Sequence, residues 1–253
     1  MLAAMQGASE RVRVNLSATL APLGDPESGL DFLGREGFEA VQLSASQPGM
    51  RPRELDGGAR RALRERMRRL ELAVSGIDLW IPAEHFGAAS EVSRAIDAFL
   101  ETLRLAEFLD RCAVSCTLPR DDAARDSRAA LLREAERRGV LLVDFAEGAT
   151  TENSIRVGLD LASIRPRELS VAESIASAGD GLGAIRLSLG AANGGRRPFR
   201  AGDEGMNLLR DLRSALRLGG ATLRPVADAR GWPDARAGLR STRDAWNNAA
   251  GLG

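Results

Sequence analysis

The sequence predicts an α/β fold, a single-domain (β/α)8 TIM barrel with its fifth helix reduced or missing. Three observations predict it. Short apolar, β-rich runs alternate with longer stretches of helical period. Eight such runs fit into a 253-residue chain, the length of one barrel at about 250 residues. The first run is not followed by GxGxxG, the glycine fingerprint of nucleotide-binding doubly wound sheets, the alternative architecture.

The strands are placed at 12–20, 38–45, 71–81, 112–118, 140–146, 155–162, 184–190 and 221–229. Asp25-Pro26 caps and opens the first helix, which closes at Gly37. The second, over 59–72, puts Leu63, Met67 and Leu70 on one stripe. The third, over 90–110, is the most regular: Val92, Ile96, Phe99, Leu103 and Phe108 form its apolar face. The fourth, over 121–139, ends at Gly139, a good residue for a left-handed cap. Only 147–154 separates the fifth and sixth strands, too few residues for the usual helical crossover. Helices over 165–179, 202–220 and 232–250 fill the remaining gaps. The barrel domain therefore spans 12–248, between a flexible leader at 1–11 and a tail at 249–253. The leader lacks the basic start and long apolar stretch of a signal peptide.

Composition narrows the function. Lys+Arg and Asp+Glu are both 35, so the net charge is zero. Neutrality argues against a nucleic-acid or anionic-membrane partner, and no run reaches the roughly 18 apolar residues of a membrane span. The six arginines in 60–69 alternate with glutamate and an apolar stripe, as on a solvated helix face. There is no Lys, which excludes Schiff-base chemistry and the phosphate-binding lysine of a nucleotide loop. Cys112 and Cys116 form no CxxC and have no second pair for zinc; they read as buried thiols of a reduced, cytoplasmic protein.

Several residues are candidates for chemistry. His85, the only histidine, follows the third strand beside Glu84; it is either an acid/base at the barrel mouth or a loop histidine packed on Trp80. Asp160 lies within a strand, and if it points inward it needs a partner, with Arg186 or Arg224 within reach in sequence terms. Asp228 and Arg230 end the eighth strand, as a ligand-binding pair or a solvated rim pair. The segment 191–200 combines glycines with Arg196, Arg197 and Arg200, as a phosphate cradle or a surface loop.

The run Gly37-Phe38-Glu39-Ala40-Val41-Gln42-Leu43 and the helix-then-strand passage over 63–82 resemble the xylose isomerase-like barrels, the sugar-phosphate isomerase/epimerase and endonuclease IV superfamily. The resemblance spans 12–248 by order and strand style. It implies a site at the C-terminal ends of the strands. There it implies a divalent metal held by a Glu ending strand five, an Asp and a His ending strand six, a His near strand seven and a Glu ending strand eight. Those positions carry Phe145, Ala162, Arg165, Ser188 and, at the eighth, a shift to Asp228. Shifting by one or two residues brings in Asp144, Asp160 and Asp228 as an all-carboxylate set for Mn, Mg or Zn; otherwise no cofactor is required. Family enzymes often carry a histidine after strand three, which places His85. The three-metal endonuclease site needs several histidines, which one histidine cannot supply.

The reading is therefore a sugar (phosphate) isomerase- or epimerase-like barrel acting on or binding a small carbohydrate-like ligand, its usual metal site largely lost. The alternative is a non-catalytic small-molecule- or protein-binding barrel. His85, Glu84 and Asp160 are the catalytic candidates. Trp80, Arg186, Arg196, Arg197 and Arg230 are the ligand-binding ones. The last helix, around Trp246, would pack on the barrel or on a second copy in a homo-oligomer.

Overall fold

A computed structural model describes residues 14–163, 170–218 and 223–249. The strands are β1 (Val14–Thr19), β2 (Phe38–Ser44), β3 (Ala73–Asp78), β4 (Val114–Cys116), β5 (Leu142–Asp144), β6 (Ile155–Asp160), β7 (Leu182–Leu187), β8 (Leu189–Gly190), β9 (Arg196–Arg197) and β10 (Val226–Ala227). Eight of them close into a parallel barrel in the order β1-β10-β7-β6-β5-β4-β3-β2. β8 and β9 form a separate antiparallel hairpin.

Seven α-helices among the described residues surround it: α1 (Pro26–Arg35), α2 (Gly57–Arg69), α3 (Val92–Phe108), α4 (Arg125–Arg138), α5 (Val171–Ala178), α6 (Gly205–Leu218) and α7 (Ala235–Asn248). Local chemistry sets their ends. The Asp25 carboxylate accepts from the Ser28 amide, with Pro26 at the first helical position. Asp56 caps α2 in the same way through Ala59. Ser170 and Glu173 form a reciprocal capping box on α5. Gly139 ends α4 at φ 64°, a left-handed conformation that costs glycine little. On α3 the predicted stripe buries Phe99 and Leu103, while Ile96 and Phe108 are half-buried against the core.

No helix lies between Asp144 and Ile155, as the short spacing predicts. The connection instead returns through a bridge between Glu152 and Ile155. The seventh strand differs from its predicted extent. It ends at Leu187, and the next residues leave the barrel to pair with Arg196–Arg197. Buried Ser188 marks the break; its hydroxyl accepts from the Trp232 indole. Gly194, at φ 78°, makes the hairpin turn. The eighth strand shrinks to Val226–Ala227 among the described residues. The leader 1–11, Arg165 and most of the tail lie outside them.

The barrel interior is unusually polar for a fold normally filled by bulky branched residues. Ser17 Oγ meets Ser75 Oγ at 2.6 Å, and Gln42 Nε2 donates to Ser115 Oγ at 3.3 Å. Trp246 is buried, with Arg213 4.5 Å from its ring, so α7 packs on its own barrel. No helix among the described residues is long and apolar enough to cross a membrane.

Candidate functional site

Four aspartates end or follow barrel strands on the C-terminal side: Asp78 on β3, Asp144 on β5, Asp160 on β6 and Asp228 just past β10. All but Asp160 are buried. Burial of a carboxylate demands compensation, and here arginines supply it.

β3 and β7 are four places apart in a ring of eight, hence on opposite walls. Arg186 on β7 nevertheless donates to Asp78 Oδ1 at 2.6 Å, so this ion pair spans the barrel mouth. Arg230 Nη1 donates to the other oxygen, Asp78 Oδ2, at 2.7 Å. Its Nε and Nη2 grip Asp228 in a fork at 2.7 and 2.6 Å. Arg196, carried in by the β8–β9 hairpin, reaches Asp228 Oδ2 at 3.0 Å and also pairs with Asp160. The result is one chain of alternating charge: Arg186, Asp78, Arg230, Asp228, Arg196, Asp160. Asp144 forms a separate pair with Arg120 at 3.0 Å and accepts from the Leu118 and Ala146 amides.

An aromatic shelf supports the chain. The Arg186 guanidinium carbon sits 3.5 Å from the centre of the Phe145 ring. That ring lies where a Cβ on Gly158 would come within 2.6 Å of it, so the glycine makes room for the shelf. Two interior polar atoms keep unused capacity: Arg186 Nε, a donor, and Gln42 Oε1, an acceptor, are buried without partners.

The two central carboxyls are tuned in opposite directions. Burial pushes Asp78 above the usual carboxylate range, and Arg230 and Arg186 do not fully offset it because Asp228 repels. Burial also acts on Asp228, but the forked hydrogen bonds and charge of Arg230, with Arg186 and Arg196, outweigh it and hold that carboxyl down. Burial raises both thiols, Cys112 to about 12, which leaves them protonated and inert as nucleophiles.

The predicted residues sort into three places. Asp160, Asp228, Arg186, Arg196 and Arg230 meet in the network. The sequence offered Arg186 or Arg224 as the partner of Asp160. Arg186 stands beside Asp160 in the β6–β7 register, but its hydrogen bond goes across to Asp78. Arg224 pairs with Glu39. In the Asp228–Arg230 pair the carboxylate is 0% exposed while the guanidinium side chain stays 31% exposed, so the pair is anchored inside and reaches the rim. Arg197 turns away to Asp203 and Glu204. Arg196 and Arg197 are both engaged by carboxylates, and the 191–200 segment carries the second strand of the β8–β9 hairpin.

Trp80 and His85 lie elsewhere, in a cavity of about 770 Å³ between the loops after β2 and β3 and the flank of α3. None of the six network residues lines it. The Trp80 side chain is 72% exposed. Glu84 is exposed beside His85 but does not line the cavity.

Asp78 and Arg120 are site residues that sequence reasoning missed, and Phe145 was noted only as a departure from an expected carboxylate. A signal for Asp78 was present: like Asp144 and Asp160, it is the last residue of its strand.

The residues present do not fit the divalent metal that the resemblance implies. Among the described residues, no group of three or more His, Cys, Asp or Glu is placed to hold a metal ion. Asp160 and Asp228 face guanidinium groups, and Asp144 faces Arg120.

The architecture is a closed TIM barrel. Among solved structures it is similar to an L-ribulose 3-epimerase, with 17% identity, a TM-score of 0.67, and coverage of 92% of this chain and 95% of that one. A D-psicose 3-epimerase from Clostridium cellulolyticum H10, solved with D-tagatose, gives 16% identity, a TM-score of 0.70, and coverage of 93% and 98%. A xylose isomerase domain protein from Planctomyces limnophilus gives 13%, 0.68, and 92% and 95%. No protein-family model and no curated protein matches the chain. At these identities the likeness establishes the fold.

Proposed function

We propose that this barrel binds a small, neutral, carbohydrate-like ligand over the aspartate–arginine network, without a divalent metal. The observation that carries the reading is the charge balance of that network. Among the described residues, three aspartates face three arginines in it and Asp144 faces Arg120 beside it, so these pairs leave no surplus cation for a phosphate or a carboxylate. A polyhydroxyl ligand suits such a surface, because each hydroxyl both donates and accepts. The cavity with Trp80 and His85 would receive any extension of the ligand beyond the mouth, and its size is typical of ligand pockets. The sugar epimerases that share the fold bind ligands of the same class in name.

The test is saturation-transfer NMR with neutral ketohexoses and with their phosphates, before and after chelator treatment. Binding of a neutral sugar that survives the chelator is the expected result. No neutral sugar bound, or a phosphate bound tenfold tighter, overturns the reading.

A second reading, catalysis, draws on one observation. Burial pushes the Asp78 carboxyl upward and so favours its protonated form, as a group that passes a proton needs. Exchange of a sugar C–H for deuterium in D2O, abolished by Asp78→Asn, would select isomerisation or epimerisation. Binding without exchange would select the non-catalytic barrel.

A further inference from the structure

We infer that Arg230 is a built-in cation: its guanidinium fills the seat between Asp78 and Asp228 that a divalent metal would otherwise take, and Arg196 fills a second seat between Asp228 and Asp160. The inference rests on taking the mouth as the site, as the proposed function does, but its readout is metal and not ligand.

The geometry is that of carboxylates arranged around a cation. Arg230 uses three separate N–H groups on two carboxylates that arrive from different parts of the barrel, at 2.6–2.7 Å. Asp228 surrenders both oxygens to it. Asp78 gives one oxygen to Arg230 and the other to Arg186. Arg196 repeats the arrangement, bridging Asp228 and Asp160. Each seat is thus faced by two carboxylates, Asp78 and Asp228 for Arg230 and Asp228 and Asp160 for Arg196, around positive charge that belongs to the chain itself. Such hard donors are the kind that Mg²⁺ and Mn²⁺ choose. What prevents a metal from entering is occupancy by guanidinium, since a metal would have to displace paired, forked hydrogen bonds at a largely buried carboxylate.

Removing the guanidinium should therefore uncover a metal site. Arg230→Ala leaves Asp78 and Asp228 facing each other with Arg186 and Arg196 still on their outer sides. Arg230→Lys keeps a cation in the seat. Arg196→Gln opens the second seat from a half-exposed hairpin, and it carries the test should Arg230→Ala not fold.

The measurement is Mn²⁺ binding to chelator-treated protein, read from the loss of the free Mn²⁺ electron paramagnetic resonance signal. Circular dichroism checks each variant's fold. The expected result is Mn²⁺ binding at least tenfold tighter in Arg230→Ala and in Arg196→Gln than in the unaltered protein, with Arg230→Lys unchanged. Three results would overturn the inference. The folded variants could bind Mn²⁺ no better than the unaltered protein. The unaltered protein could itself hold one equivalent as tightly as the variants. Arg230→Lys could gain as much as Arg230→Ala. None of these depends on a sugar being bound: the first and third outcomes leave the proposed function standing, only metal held by the unaltered protein bears on both, and failure of sugar binding leaves this inference standing.

Discussion

Arginine–carboxylate pairing builds two different structures in this chain. At the mouth, Arg186, Arg230 and Arg196 hold Asp78, Asp228 and Asp160, drawn from opposite walls of the barrel. On the outer helices, arginines pair with a glutamate three or four residues away, as Glu134 does with Arg137 and Arg138 on α4. Outside, the local helix supplies the geometry, and water screens exposed partners such as Arg137, 63% exposed, while Arg138 is only 10% exposed. Inside, closure of the barrel supplies the geometry, and each carboxylate depends on its guanidinium for solvation. The difference teaches that a balanced charge count says nothing about where the balance matters.

The largest effect is expected from breaking the inner set. Asp228→Asn keeps the shape of the side chain but strips the fork from Arg230 and one contact from Arg196. Breaking a buried pair on one side costs about 3–5 kcal/mol. The lower end is expected, because Arg230 and Arg196 remain about 30% exposed and keep Asp78 and Asp160. Urea unfolding at neutral pH measures it; a loss below about 1 kcal/mol would place this pair with the surface ones.

The shelf under Arg186 gives the next effect. Gly158→Ala forces a methyl into the Phe145 ring and is expected to cost about 1–3 kcal/mol. Phe145→Ala removes the ring, so adding Gly158→Ala to it should cost far less than alone. A double-mutant cycle on unfolding free energies reads this coupling. Additive losses would mean that glycine is required here for another reason.

A third contrast is the direction of titration. Asp78 is raised, so it takes up its proton at higher pH than a free aspartate, and acid strengthens the folded state through that group. Asp228 is lowered, so its contribution is present above the ordinary value and is lost as pH falls below it. Carboxyl ¹³C resonances, assigned with Asp78→Asn and Asp228→Asn, should titrate in that order, and the reverse order would contradict the asymmetry.

The two regions were not equally legible in the sequence. Strand order and the missing fifth helix followed from run lengths, because both are local. The β8–β9 hairpin did not, since Leu189 and Gly190 continue the apolar run of β7 without a break in pattern. At the site, Asp160, Asp228, Arg186, Arg196 and Arg230 could be singled out one by one. Their pairing could not, since Asp78 and Arg186 are 108 residues apart and Asp78 and Arg230 are 152 apart. Only the closed ring makes those residues neighbours. Phe145 was visible as a departure from the expected carboxylate, but its use as a shelf depends on Gly158 across the β5–β6 pairing. The outer pairs, by contrast, can be read from helical spacing alone.

The smallest effect belongs to those outer pairs, and it tests the comparison from the other side. Hydrogen bonds from Arg137, then from Arg138, hold the Glu134 carboxyl down to about 2, against an ordinary value of 4.5. Because the folded state has the lower value, this contribution is present above 4.5 and disappears as pH falls through about 2. Such a pair is nevertheless worth only about 0–1 kcal/mol, because holding long side chains in place costs entropy and salt screens the attraction. Glu134→Gln should therefore shift the urea midpoint slightly at neutral pH and low salt, and not at all in 1 M salt. Asp228→Asn should keep most of its penalty in the same salt, since its partners exchange buried hydrogen bonds and not screened surface charge. If salt erased both effects equally, the mouth would be an ordinary solvated rim, and the distinction between the two regions would fall.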